Sequence, residues 1–204
     1  MKLSILILTH NRPKLFERCI RSVIKNCPND VEIIVNNDSN DINEIKNNNI
    51  KYYYKKFQLT DIYKFLVQNA HGDYVYFLED DDYLSPNFYD KIKDCLETDS
   101  SDLIIGKYYS CDKSEKTGTD ILRIHHLKKD FSIEDEMFQL GQVIFKRNIF
   151  KGFKWFNDND IHNDYRMTKY FLQKYKYTKL NKIFYIQTDD GKDNISFPEY
   201  QMKN

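Results

Sequence analysis

Small residues are almost missing from this sequence. Ala70 is the only alanine, and 204 residues hold just 6 Gly and 4 Pro. That scarcity excludes collagen-like and low-complexity chains, in which such residues dominate. The 4 Cys (Cys19, Cys27, Cys95, Cys111) form no CxxC pair and have no His at zinc-ligand spacing. Neither a disulfide framework nor a zinc module is expected, and the thiols read as scattered, reduced and partly buried. An excess of one charge is absent too, because 31 Lys+Arg balance 31 Asp+Glu for a net charge of +0. Nonspecific binding to DNA or anionic membrane needs a basic surplus, so only a local basic patch remains open. The apolar stretch over 3–8 is too short for a membrane span and has no small-residue cleavage site after it. A buried strand, no transmembrane segment and a cytoplasmic home (host cytoplasm for a viral chain) are expected.

What fills the chain instead is bulk and charge: 16 Tyr, 14 Phe, 41% hydrophobic and 30% charged residues. This is a globular composition. The excess of Lys, Asn, Ile and Tyr points to an AT-rich coding genome and not to a function. The length suits one large domain or two small ones, and area scaling lets about 70% of the unfolded surface be buried.

The first half alternates strands and helices. The run over 3–8 is continuously apolar, as in a central parallel strand. Asn11 is placed to cap the next helix and Arg12-Pro13 to open it; Leu15, Cys19, Ile20, Val23 and Ile24 follow at helical spacing. Strands are expected over 31–35, 50–54 and 74–78, a short helix over 41–46 and a longer one over 60–70. Such β-α steps predict a parallel sheet with right-handed crossovers. The second half predicts helices over 87–97 and 164–175, strands over 103–109, 142–145 and 182–187, and a polar loop over 112–119. With no repeat and no linker, the expectation is one domain over 1–204.

The most informative stretch runs Tyr74-Val75-Tyr76-Phe77-Leu78-Glu79-Asp80-Asp81-Asp82-Tyr83-Leu84-Ser85-Pro86. Four acids follow directly on a hydrophobic strand, and in open α/β sheets the carboxyl ends of strands face the ligand crevice. Four adjacent carboxylates repel one another unless a cation or hydrogen-bond donors neutralise them. Mg²⁺ and Mn²⁺ take oxygen ligands and share their shell with substrate phosphates. The stretch therefore suits a metal held jointly by a carboxylate and a diphosphate. A solvated acidic turn, or a helix N-terminus collecting negative charge, is the alternative.

Three segments in this order resemble family 2 glycosyltransferases. Leu6-Ile7-Leu8-Thr9-His10-Asn11-Arg12-Pro13 is similar to the family's strand ending in Thr-x-Asn-Arg. Glu32-Ile33-Ile34-Val35-Asn36-Asn37-Asp38-Ser39-Asn40-Asp41 is similar to its EIIVVDDGSTD motif. Gly72 through Pro86 is similar to GDYIxFLDxDDxLxP with the metal-binding DxD. The resemblance implies a GT-A (Rossmann-like) α/β fold with a mostly parallel central sheet flanked by helices. Residues 1–90 would form a nucleotide-sugar-binding half, and 91–204 a mixed acceptor-binding and catalytic-base half.

By that resemblance Thr9 and Asn11 lie beside the nucleotide base, with Arg12 also on the donor side, and Asp38 holds the base. Glu79 contacts ribose or the metal shell, Asp80 is the variable position, and Asp81 and Asp82 are the metal ligands. Departures stand beside the matches. Asn36-Asn37 replace an apolar residue and an Asp, and the Gly before Ser39 is missing. The family's ARN helix signature falls on Ile62-Tyr63-Lys64, where Lys64 is the candidate cation for the diphosphate although it offers a point charge and no fork.

The second half resembles the family more weakly. Residues 141–147 are similar to its acceptor-side strand, and Trp155 through Tyr165 to the run from GGFDE to the ED pair. That makes Asp164 the catalytic base, with Asn163 in place of the usual Glu and Asp158 and Asp160 in reserve; capping of the helix by Asp164 or Asn163 is the alternative. His162 is a candidate acceptor or phosphate contact, Trp155 and Phe156 are candidate sugar-stacking rings or core, and Asp189 is a candidate substitute for a relative's His ligand. His125-His126 read as an exposed turn.

The implied activity is metal-dependent (Mn²⁺ or Mg²⁺), inverting transfer from a nucleotide-diphosphate sugar, UDP-sugar foremost, to a hydroxyl of a glycan, glycolipid or other acceptor in glycoconjugate synthesis. The alternatives are a viral or phage glycosyltransferase acting on hydroxylated DNA bases, a nucleotidyltransferase, and a non-catalytic sugar-nucleotide-binding domain. The lysines over 146–154 and 174–182 are the candidate phosphate-binding stripe for a DNA acceptor. Oligomeric state is open.

Overall fold

A computed structural model of the chain describes residues 2–39, 42–56, 59–98, 100–113, 120–125, 138–156 and 163–188. Strands β1 (Leu3–Thr9), β2 (Glu32–Asn37), β3 (Ile50–Tyr53) and β4 (Tyr74–Glu79) pair in parallel in the order β3-β2-β1-β4. Helix α1 (Pro13–Asn26) links β1 to β2, and α2 (Leu59–Asn69) precedes β4. The second half is mixed. It contains β5 (Tyr83–Leu84), α3 (Phe88–Thr98), β6 (Leu103–Lys113), β7 (Asp120–His125), β8 (Val143–Lys146), α4 (Asn163–Lys174) and β9 (Tyr177–Thr188). The sheet continues from β4 as β8-β6-β9-β5, with β7 on β6. β8 runs antiparallel to both β4 and β6, while β6 and β9 are parallel.

Why the strands read as unbroken apolar runs follows from this sheet. Successive side chains alternate between faces, and helices cover both. Leu3, Ile5 and Ile7 of β1, Ile33 and Val35 of β2, and Tyr74, Tyr76 and Leu78 of β4 join one core cluster, under Phe16, Ile20 and Val23 of α1 and Phe88 and Ile92 of α3. Leu6, Ile34, Val75 and Phe77 join the other, under Ile62, Tyr63 and Leu66 of α2 and Met167, Phe171 and Leu172 of α4. β6 crosses β9 where a Cβ on Gly106 would meet the Phe184 ring at 2.5 Å, so a glycine is required for the two to approach.

Several expected elements are corrected. Residues 42–46 form no helix. Ile42 and Ile45 are too few apolar anchors for one in an asparagine-rich stretch; both still pack on the core, and Ile45 N donates to Tyr52 Oη at 3.0 Å. Asn11 does not cap α1. It takes a left-handed φ of 51°, and Arg12 stands at the N-cap with no side-chain cap bond, ahead of Pro13. Asp112 and Lys113 belong to β6 and not to a loop, and β7 returns from them as a hairpin, pairing His125 with Tyr108. Residues 114–119 and His126 lie outside the described residues.

One family-motif acid is structural. Glu32 begins β2, at the end of the sheet opposite to Thr9 and Glu79. It is 2% exposed and accepts from Ser4 Oγ at 2.7 Å, His71 N at 2.8 Å, His71 Nδ1 at 2.9 Å and Lys51 Nζ at 2.9 Å. Burial pushes this carboxyl up, but the four donors outweigh it and hold the group at about 2, below its ordinary 4.5. A depressed folded-state value stabilises the fold fully above the unfolded one, and that stability is lost as pH falls through the folded value. Between pH 4.5 and 2 the chain is expected to lose on the order of 3 kcal/mol through this group. Urea denaturation at pH 5 and pH 2.5 checks this: Glu32→Gln should be the less stable protein at pH 5 and flatter with pH, and an equal slope refutes it.

Candidate active site

Parallel pairing brings three sequence-distant segments to one edge. Thr9 is in register with Asn37, and Leu8 with Glu79, so β1, β2 and β4 end side by side. This is the carboxyl edge at which open α/β sheets bind ligands.

On the β1–β2 side the two strand ends are stitched together. His10 Nδ1 hydrogen bonds with Asp38, and Asn11 Nδ2 donates to His10 Nε2 at 2.9 Å. Asn11 N donates to Ser39 Oγ at 3.0 Å, and Ser39 donates to Asn37 Oδ1 from both its N (3.0 Å) and its Oγ (2.7 Å). Thr9 is buried and Asp38 half-buried at the same edge. Asn36, an odd polar residue inside a buried strand, is explained by its neighbour. Its Nδ2 donates to Lys55 O at 3.0 Å and its Oδ1 accepts from Lys55 N at 3.1 Å, which fastens the chain leaving β3.

On the β4 side the acids are held by two arginines and one threonine. Arg12 Nη1 donates to Asp80 Oδ1 at 3.1 Å and to Asp81 Oδ2 at 3.0 Å. Arg18 Nη2 donates to the Asp81 carbonyl and, at 2.7 Å, to Thr188 Oγ1, and its guanidinium lies 5.2 Å from the Tyr83 ring centroid. Thr188 in turn donates its N to Asp82 Oδ1 at 3.0 Å and its hydroxyl to the Asp81 carbonyl. Asp80, Asp81 and Asp82 are buried, whereas Glu79 keeps solvent access.

Positive charge is still short here. Burial pushes the Asp80 carboxyl up to about 6, Arg12 opposing and Asp81 adding to the push. Burial, then Glu79 and Asp81, raise Asp82 well above the carboxylate range. Loss of hydration among its neighbours, then Asp81, Asp164 and Asp80, raise Glu79. One oxygen each from Glu79, Asp81 and Asp82 lies within 4.8 Å of the others. Among the described residues Asp80 Oδ2 is buried with no hydrogen-bond partner. An all-oxygen set with surplus negative charge fits a hard divalent cation.

Asp164 comes from the other half of the chain. It lies half-buried in the first turn of α4, and its charge acts on Glu79 and on Tyr63. Asn163 is buried, and its Oδ1 accepts from Arg166 Nη1 at 3.0 Å. Tyr63 takes the core-facing position of α2, edge-on to Phe77 at 5.4 Å, which turns Lys64 outward into a cleft with Asp61, Gln68 and the aromatic segment 150–156. Trp155 stacks on Phe150 at 5.5 Å in that segment. Asp158, Asp160, His162 and Asp189 lie outside the described residues.

Arg18 and Thr188 carry no signal of their own in the sequence, the nearest hint of Thr188 being its neighbour Asp189, while Tyr63 falls in the segment at the ARN signature, where only Lys64 has a candidate role.

The comparisons with known proteins agree with this geometry. The profile of glycosyl transferase family 2 matches residues 4–188. An uncharacterized glycosyltransferase of Mycoplasma genitalium is 31% identical over 126 residues, 54% of this chain and 42% of that protein. Its Mycoplasma pneumoniae homolog is 28% identical over 139 residues, 61% of this chain and 45% of that protein. The chain thus spans less than half the length of these curated relatives. Among solved structures, S. aureus TarS 1–349 in complex with UDP-GlcNAc superposes with a TM-score of 0.70 at 17% identity, covering 96% of this chain and 61% of that one. The fold is therefore that of the GT-A glycosyltransferases, an α/β sheet flanked by helices. Since the family profile runs from the first strand to the last, the chain belongs to glycosyl transferase family 2.

Proposed function

We propose that this chain transfers a sugar from a nucleotide-diphosphate donor, UDP-sugar foremost, to an acceptor hydroxyl with inversion. The observation that carries the reading is the acid cluster at the carboxyl end of β4, where one oxygen each from Glu79, Asp81 and Asp82 lies within 4.8 Å of the others. In this reading residues 1–90 hold the donor, residues 91–204 bring acceptor and base, and the two halves act as one domain.

Thr9, Asn11 and Asp38 border the nucleotide base at the β1–β2 edge. Asp81, with Glu79 and Asp82 beside it, would hold a divalent cation, Mn²⁺ or Mg²⁺, which supplies charge neutralisation for the diphosphate leaving group when bound. Arg12, paired with Asp80 and Asp81, adds a fixed positive charge at the same point. Asp164 takes the proton from the acceptor hydroxyl. The acceptor oxygen then attacks the anomeric carbon on the face opposite to the breaking bond to diphosphate, so the configuration inverts and no covalent enzyme intermediate forms. The UDP-GlcNAc complex of the TarS relative supports a uridine donor. Family membership argues against nucleotidyl transfer. Among the described residues no helix is long and apolar enough to cross a membrane.

Hydrolysis and binding of UDP-, GDP-, TDP- and CMP-sugars, with and without Mn²⁺, test the proposal. A UDP-sugar should bind and turn over slowly in a cation-dependent way. Failure of all four donors to bind overturns it.

A further inference from the structure

The mechanism leaves one built feature unused: the cleft between α2 and the segment 150–156. Its volume is about 480 Å³, within the roughly 300–1,000 Å³ of small-molecule sites. One wall is polar. Asp61, Lys64 and Gln68 stand at i, i+3 and i+7 on α2, all exposed, while the opposite face of the helix carries Ile62, Tyr63, Leu66 and Val67 into the core. Among the described residues none of those three side chains has a hydrogen-bond or ion-pair partner. The other wall is aromatic, formed by half-buried Phe153, Trp155 and Phe156.

That aromatic wall is held in place before any ligand arrives. Trp155 stacks on Phe150 with ring planes 12° apart, and Phe153 meets Trp155 edge-on at 5.0 Å. The Arg166 guanidinium lies 4.3 Å from the Phe156 ring centroid. Gly152 turns the segment with φ 76°, and nothing lies within 4 Å of where its Cβ would be, so this wall opens onto free space.

We propose that this cleft is a carbohydrate subsite, holding a pyranose unit of an oligosaccharide acceptor away from the reacting hydroxyl. A pyranose presents an apolar C–H face and a rim of hydroxyls. The Phe153–Trp155–Phe156 wall suits the first, and Asp61, Gln68 and Lys64 suit the second. A purely apolar ligand would leave Asp61 and Gln68 desolvated without partners. A nucleic acid would meet the Asp61 carboxylate, with Lys64 and Lys154 alone in the cleft to attract it. Continuity with the transfer site favours an acceptor. The inner face of α2 sets Tyr63 edge-on to Phe77 of β4, the strand that ends in the acids, and the aromatic segment packs on Tyr170 and Phe171 of α4, the helix that carries Asp164. Calling the occupant an acceptor rests on the proposed glycosyl transfer; calling it a carbohydrate rests on the cleft.

Trp155 is the sole tryptophan of the chain, so its fluorescence reads the cleft directly. The probes are chitotetraose, cellotetraose, maltotetraose and mannotetraose, titrated into the full chain. At least one should give a saturable change in Trp155 emission. In the Asp61→Ala/Gln68→Ala double variant the affinity should fall about tenfold or more with thermal stability unchanged, because both substitutions are at exposed helix positions. No saturable change with any probe, or equal affinity in the stable double variant, overturns the subsite. So does a response confined to duplex DNA and weakened by salt. UDP-sugar hydrolysis in the same preparation separates the two proposals. Hydrolysis without tetrasaccharide binding removes the subsite alone, and tetrasaccharide binding without donor hydrolysis removes glycosyl transfer while the sugar site stands.

Discussion

The Asp164→Asn variant is expected to transfer sugar about 10²–10⁴-fold more slowly than the native chain, the usual worth of a positioned general base. Donor binding should survive, since Asp164 sits at the start of α4 and the base-side residues Thr9, Asn11 and Asp38 belong to β1, β2 and their edge. The amide keeps the shape and the hydrogen-bonding reach of the carboxylate but cannot take a proton at neutral pH. It also removes one of the charges that raise Glu79. Loss of transfer with native UDP-sugar affinity is therefore the signature of a base. A variant that transfers normally assigns the base elsewhere, and one that loses thermal stability together with activity returns Asp164 to a helix-terminus role. Transfer and donor affinity have to be measured in the same preparation.

Asp81→Ala produces the second large effect, a loss of cation-stimulated donor turnover of more than about 100-fold. Asp81 is the acid that both Arg12 and the proposed cation address. Its Oδ2 accepts from Arg12, and one of its oxygens lies within 4.8 Å of Glu79 and Asp82 ligand atoms. Mn²⁺ binding, followed by electron paramagnetic resonance without donor, should weaken in step with turnover. Arg12→Gln provides the contrast. It frees Asp81 Oδ2 from an ion pair, so Mn²⁺ should bind at least as tightly while UDP affinity drops. Unchanged Mn²⁺ binding in Asp81→Ala moves the cation away from this cluster.

Much of the first half was legible in the chain because its signals are local. The unbroken apolar strands, Pro13 at the start of α1 and the acids at the end of β4 each lie within a few residues, and each reflects one strand or one helix end. The misreadings have local causes too. Ile42 and Ile45 have helical spacing, but two anchors do not hold a turn of helix. Asn36 looked like a departure at the nucleotide site, yet it fastens Lys55. Glu32 looked like part of a binding motif, yet it closes a buried network with Ser4, Lys51 and His71.

By itself the sequence determined an α/β fold, the family, and a run of acids at the end of a strand. The scarcity of Ala and Gly had no bearing on function, although Gly106 is indispensable where β6 meets Phe184. Tertiary structure alone decided which residues meet. Arg18 and Thr188 join the acids because α1 and the end of β9 converge on the β4 turn. Lys64 faces the cleft because Tyr63 takes the core side of α2. A motif states which groups a strand end carries. Where Asp164 stands relative to the β4 acids depends on long-range packing of α4 against the second core cluster, and no window of adjacent residues encodes that placement.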